Sequence, residues 1–163
     1  MIVFDLITCY RGILYREDKE KGVDKMEPSL KDQALEILEK HHIGVMATVN
    51  NGKPDSRYMT FAHDGFTLYT VTPTEAGKVD ELRKNPHTHI LYGYENEELG
   101  QTFLEIEGKV SEAKADDMKE RVLSKLNSQY KTDAASMVLL KIEPIRMRFM
   151  NKSGDNQQDI NIH

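Results

Sequence analysis

The sequence predicts a mainly β fold with flanking helices, an α+β domain whose antiparallel strands close into a barrel. Three observations predict it. Short runs rich in Val, Ile, Thr, Tyr and Phe recur along 163 residues, which is room for one domain with a sizeable core but short for two. Asn50-Asn51-Gly52 and His63-Asp64-Gly65 sit between consecutive runs as tight turns, so neighbouring strands are hairpin partners. Six or more strands with few helices then favour closure, which leaves few open edges.

The elements follow in order. Residues 1–25 combine a strand-like MIVFDLITCY with the charged REDKEKGVDK and read as an extension, or as upstream sequence before a working start at Met26. Ser29 precedes Leu30, Ala34, Ile37 and Leu38, an N-cap followed by a helical stripe. Residues 45–49, 56–61 and 66–71 form a three-stranded meander. Pro73 ends it, and 76–84 is a short helix with Val79 and Leu82 on one side, stopped by Asn85-Pro86. Strands follow at 87–94 and 101–110 around an acidic loop holding Glu95, Glu97 and Glu98. Met118, Val122, Leu126 and Tyr130 recur every four residues and give an amphipathic helix over 116–130. Residues 136–143 and 146–150 are read as two closing strands around Pro144. The domain thus spans 26–150, and the polar residues 151–163 are a tail expected to fray.

Composition excludes several classes. With 22 Lys and Arg against 27 Asp and Glu, net −5, the chain has no basic footprint for nucleic acid. Cys9 is its single cysteine, so a disulfide framework within the chain is excluded and a reducing cytoplasmic setting fits best. The apolar start is too short and too soon interrupted by Asp5 for a signal or membrane segment, so no membrane partner is expected.

Chemistry concentrates between Ile43 and Asn85. Gly77-Lys78 invites comparison with a nucleotide P-loop, which would need glycine at 72 and a hydroxyl at 79; those positions hold Thr72 and Val79. Arg57 on one strand, Thr70 and Thr72 at the end of the next, and Gly77-Lys78 opening a helix remain, and a hairpin can bring them together. Arg offers a planar fork of donors, Lys a point charge, Thr a hydroxyl and the helix start unpaired N–H groups, a set suited to a phosphate monoester. The competing reading makes Arg57 and Lys78 ordinary solvated charges. His87 and His89 share one strand face at a spacing that could ligate a metal or haem iron, but no third ligand accompanies them, so no metal is assigned. His41 and His42 suit a helix C-terminus.

The run TVTPTEAGKVDELRKNP after a strand, preceded by SRYMTF and GVMATV, resembles the FMN-binding split-barrel family related to pyridoxamine 5′-phosphate oxidase, most nearly its general stress protein branch. The resemblance covers about residues 29–143 and implies a six-stranded FMN-binding split β-barrel. It implies that Arg57 and Lys78 bind the FMN phosphate, that the backbone of Tyr58, Met59 and Thr60 runs along the isoalloxazine ring, and that Tyr69 and Thr70 border the flavin and its ribityl chain. It also implies a homodimer with flavin at the subunit interface, completed by a partner strand around 101–107. The activity implied is that of an FMN-dependent oxidoreductase of unknown catalytic residues and unknown redox substrate. The alternatives are a non-catalytic flavin-binding stress protein and a haem-handling relative. The oxidase proper carries a tryptophan and a C-terminal Arg- and His-bearing motif. This chain has no tryptophan and offers only Arg146, Met147, Arg148 and Phe149 there, so oxidation of pyridoxamine phosphate itself is not expected.

Overall fold

The computed structural model describes residues 28–94, 102–126, 134–151 and 158–162. Readings that fall on 1–25, on the acidic loop at 95–100 and on 127–133 lie outside the described residues. Seven strands order as β3-β2-β1-β4-β5-β6-β7, and β3 also pairs with β6, closing the first six into an antiparallel barrel.

Helix α1, Leu30–Lys40, begins as its sequence dictates: the Ser29 hydroxyl accepts from the Asp32 N–H, and the Asp32 carboxylate accepts from the Ser29 N–H. This capping box satisfies two otherwise orphaned donors. Strands β1, Ile43–Asn50, and β2, Lys53–Asp64, meet at a two-residue turn in which Asn51 and Gly52 both take positive φ, 50° and 78°, the left-handed pair that matches strand twist. Gly65, at φ 53°, opens the next turn into β3, Thr67–Pro73. Helix α2, Gly77–Lys84, then leads to β4, His87–Tyr92, and β5, Thr102–Ala113. Helix α3, Asp116–Lys125, packs Met118 and Val122 outside the barrel over Ala62, Val71 and Leu139.

Two expectations change. The two closing strands predicted around Pro144 are one, β6, Met137–Asn151, which pairs with β5 along its length. The register shifts between Glu107 and Gly108, where Gly108 faces Pro144 and Glu107 faces Arg146, leaving Ile145 as the extra residue of a bulge. A proline lacks the ladder N–H, and a bulge tolerates that. The bulge also changes the phase of the strand, so that Ile142 before it and Met147 after it both reach the core. The second change is the polar tail: Gln158–Asp159 returns as β7 on Phe149 and Arg148, Ile160 is buried, and Arg146 pairs with Asp159. One isoleucine with a backbone bond from its N–H to the Met147 carbonyl anchors it. The barrel core is filled by Met46, Phe61, Leu68, Ile90, Leu104 and Ile106 among others. Among the described residues no helix is long and apolar enough to cross a membrane.

Candidate functional site

The barrel opens between β2 and β3. Their ladder runs from Asp64–Thr67 only as far as Phe61–Thr70. Beyond that rung each strand keeps its outer partner: β2 stays on β1 down to Lys53, and β3 stays on β6 to Pro73. The facing edges of the two strands therefore part. Thr70 marks the last rung by donating its hydroxyl to the Thr60 carbonyl at 2.7 Å. Continued past it, the register sets Thr72 across from Met59. Helix α2 starts four residues after Pro73, buries Val79 and Leu82, and so lays its first turn over the opening.

Side chains with chemistry meet there. Arg57 pairs with Met46 across β1 and β2, which turns it toward the barrel interior. Its guanidinium donates from Nη1 to Thr48 Oγ1 at 2.8 Å and from Nη2 to Glu81 Oε2 at 3.2 Å, and Nη2 lies 2.6 Å from Asp55 Oδ2. Thr48 in turn donates to Glu81 Oε2 at 2.7 Å. Among the described residues, Lys78 Nζ finds as hydrogen-bond partner the Met59 sulfur, at 3.5 Å, a weak acceptor. Burial, and then the neighbouring Arg57 charge, hold its pKa below the usual lysine value, with Glu81 and Asp55 opposing. Thr72 is 1 % exposed, and its hydroxyl makes no hydrogen bond with any described residue.

The arrangement sorts the residues singled out from sequence. Arg57, Met59 and Lys78 come together at the opening, Thr72 lies on its β3 edge, and Thr60 and Thr70 mark its closed end. Gly77 sits exposed at the start of α2, where an added Cβ would meet nothing within 4 Å; the fold itself does not require glycine there. Ala76, the N-cap, supplies no side-chain bond to the first turn. Two residues point elsewhere. Tyr58 is turned to the outer face of the sheet, 79 % exposed, and Tyr69 packs under α3 with the Val71 and Met118 cluster. Both keep only their backbone near the opening.

Sequence reasoning missed Thr48, Asp55 and Glu81. Two had a signal: Asp55 is two residues from Arg57 on the same strand face, and Glu81 is three from Lys78 on the same helix face. Thr48 had none beyond the hairpin register that sets it opposite Asp55. His87 and His89 are exposed on the outer face, and His89 lies 3.4 Å from Glu105. Among the described residues no three His, Cys, Asp or Glu side chains gather as a metal site.

A six-stranded antiparallel barrel split between adjacent strands, with Arg57 and Lys78 at the split, defines the class of split-barrel proteins. The chain belongs to the pyridoxamine 5′-phosphate oxidase family, whose sequence pattern matches residues 30–151. It is 41 % identical over 127 residues to General stress protein 26 of Bacillus subtilis (strain 168), covering 77 % of this chain and 91 % of that protein. Among solved structures it is similar to a candidate pyridoxamine 5′-phosphate oxidase of Listeria innocua, at 40 % identity and TM-score 0.66 over 76 % of this chain and 100 % of that one. General stress protein 26 of Bacillus anthracis str. Sterne also matches, at 27 % identity and TM-score 0.66 over 80 % and 98 %.

Proposed function

We propose that the protein binds FMN by its phosphate at the β2–β3 opening and serves as an FMN-dependent oxidoreductase of the general stress type. The observation that carries this reading is the Thr72 hydroxyl, buried on the β3 edge of the opening and without a hydrogen-bond partner among the described residues, while Arg57 and Lys78 converge at the same opening. A buried hydroxyl without a partner costs stability, so its persistence at an opening that also holds two cations fits a ligand oxygen. Arg57 and Lys78 would hold the phosphate, joined by Thr72 and the uncapped N–H groups of α2. The parted edge of β2 at Tyr58, Met59 and Thr60 offers backbone groups to the flavin ring.

Bound flavin supplies the electron-transfer chemistry, and the protein supplies orientation and access. The absence of tryptophan and of an Arg- and His-bearing C-terminal motif argues for a small acceptor other than pyridoxamine phosphate. The homodimer belongs to the same proposal. Tyr58, Val45 and Leu91 stand side by side across β2, β1 and β4, with Ile43 and Val49 exposed nearby, an apolar outer face suited to a second copy of the chain.

The test is spectroscopic. Purified protein titrated with FMN should acquire a bound-flavin spectrum, and Lys78→Ala should weaken affinity by about one to two decades, the cost of roughly 1.5–3 kcal/mol for a charge-assisted contact. A wild-type protein that takes up no FMN refutes the reading, and unchanged affinity in the variant removes Lys78 from the site. Anaerobic addition of NADH or NADPH then separates an oxidoreductase, whose flavin bleaches, from a module that only holds flavin.

A further inference from the structure

Two carboxylates contact the same guanidinium nitrogen, and their surroundings differ sharply. Glu81 is 11 % exposed, and its Oε2 accepts from Arg57 on β2 and from Thr48 on β1. Thr48 is 2 % exposed and closes the circuit by accepting from Arg57 Nη1. Moving Glu81 away would leave the buried Thr48 O–H without its acceptor and strip Arg57 of its less exposed carboxylate, a costly outcome. Asp55 is 50 % exposed, and its ion pair among the described residues is with Nη2, at 2.6 Å. Water can replace that contact at little cost.

Resting on the reading of the opening as a phosphate site, we infer that the two carboxylates act with opposite sign: Glu81, locked to Thr48, is a positioning residue that aims Arg57, and Asp55 is a displaceable counter-ion that the ligand phosphate replaces. Charge supports the division. Arg57 and Lys78 face Asp55 and Glu81, two positive against two negative, so the cradle is balanced before any ligand arrives. A phosphate dianion adds negative charge, and the carboxylate that can leave Arg57 is the solvated one. Nη2 donates to Glu81, and Asp55 stands against the same nitrogen as an ion pair; releasing Asp55 clears that side of the guanidinium for an incoming anion without disturbing its aim. Asp55 thereby sets a threshold: an anion must outcompete a neighbouring carboxylate, which favours a dianionic phosphate over weaker anions.

The experiment titrates FMN and riboflavin, which differ by the phosphate, into the full chain and its Asp55→Asn, Glu81→Ala and Glu81→Gln variants. Asp55→Asn should tighten FMN by about 2- to 5-fold, the scale of one partly screened charge pair, and leave riboflavin unchanged. Glu81→Ala should weaken FMN by about 10-fold or more, and Glu81→Gln, which keeps an acceptor for Thr48 and Arg57, should recover most of that loss. FMN affinity unchanged or weakened in Asp55→Asn, or unchanged in Glu81→Ala, overturns the inference. Failure of the FMN reading looks different: the wild type then binds FMN no better than riboflavin. In that event inorganic phosphate is the probe, read as a thermal shift. A larger phosphate-induced shift in Asp55→Asn and a smaller one in Glu81→Ala sustain the two roles; no shift in any variant overturns them.

Discussion

Thr70 and Thr72 stand two residues apart on one strand, both buried and both facing the barrel interior, yet one hydroxyl is paired and the other is not. Thr72→Val keeps the β-branched shape and replaces the unpaired hydroxyl with a methyl. An unsatisfied buried hydroxyl costs about 1–3 kcal/mol, so the ligand-free protein should gain about 1–2 kcal/mol. At about 2–4 °C per kcal/mol for a domain of this size, the melting temperature rises by about 2–8 °C. Binding should move the other way. A hydroxyl donating to a phosphate oxygen is a bond to a charged group, so its loss weakens FMN by roughly 10- to 100-fold. Thr70→Val is the internal control: it strips the Thr60 carbonyl of its 2.7 Å partner and should destabilise by about 1 kcal/mol.

The assay is urea unfolding of the ligand-free variants beside FMN titration. A destabilised Thr72→Val protein would show that the hydroxyl is engaged in solution. A stabilised protein with unchanged FMN affinity would show that the hydroxyl serves no ligand. Either result refutes the reasoning, because it requires a gain in stability and a loss in binding from the same atom.

Further outcomes follow from single features. Burial and Arg57 depress the Lys78 pKa, so between that lowered value and its ordinary 10.5 the folded state holds fewer protons than the unfolded. Lys78 therefore contributes stability that increases as pH rises through this window, while FMN affinity falls over the same window as the ammonium is lost; Lys78→Met should flatten both trends in unfolding and titration series, and wild-type affinity constant up to the ordinary lysine range would contradict it. Leu91→Lys, at the β4 end of the Tyr58–Val45–Leu91 row, should convert the proposed dimer to monomer in light scattering, and an unaltered dimer would place the interface elsewhere. Gly44→Ala would set a Cβ 2.9 Å from the Leu91 carbonyl and 3.0 and 3.2 Å from the Tyr92 and Phe61 rings; the crowding should cost about 1–3 kcal/mol in urea unfolding, and a neutral effect would mean that the β1–β4 pairing is looser than its register.

What the sequence made legible is what depends on neighbours along the chain. Asn51-Gly52 demands left-handed φ, so the first hairpin and its register could be read, and with them the inward placement of Arg57. Ser29 before the Leu30, Ala34, Ile37 and Leu38 stripe announced a helix start. The β6 bulge was not legible as such, because the loss of apolar alternation after Pro144 reads as well for two strands as for one strand with an extra residue; the β5 register decides it. The return of residues 158–162 rests on Ile160 and one ion pair, too small a signal within a polar run. Arg57, Thr72 and Lys78 stood out as individual donors, but Tyr58 and Tyr69 could not be assigned to a face of the site until the strands had a barrel around them.

The split itself explains why the missed residues include both of its carboxylates, Asp55 and Glu81. A cradle holding Arg57 and Lys78 within a partly buried mouth would repel itself unless carboxylates balance it; burial first and Arg57 second lower the Lys78 pKa, and Glu81 and Asp55 oppose that shift. Anion-binding residues are sought by looking for positive charge, which overlooks the groups that make the positive charge tolerable before the ligand arrives. Here those groups come from three elements, Thr48 on β1, Asp55 on β2 and Glu81 on α2, and they converge because β2 leaves β3 after Phe61 while α2 returns over the gap. The same departure that opens room for a ligand exposes Arg57 to its counter-ions. Affinity at this site is therefore set by exchange between an internal carboxylate and an external phosphate, and a substitution at Asp55 should tune it without touching a residue that holds the ligand.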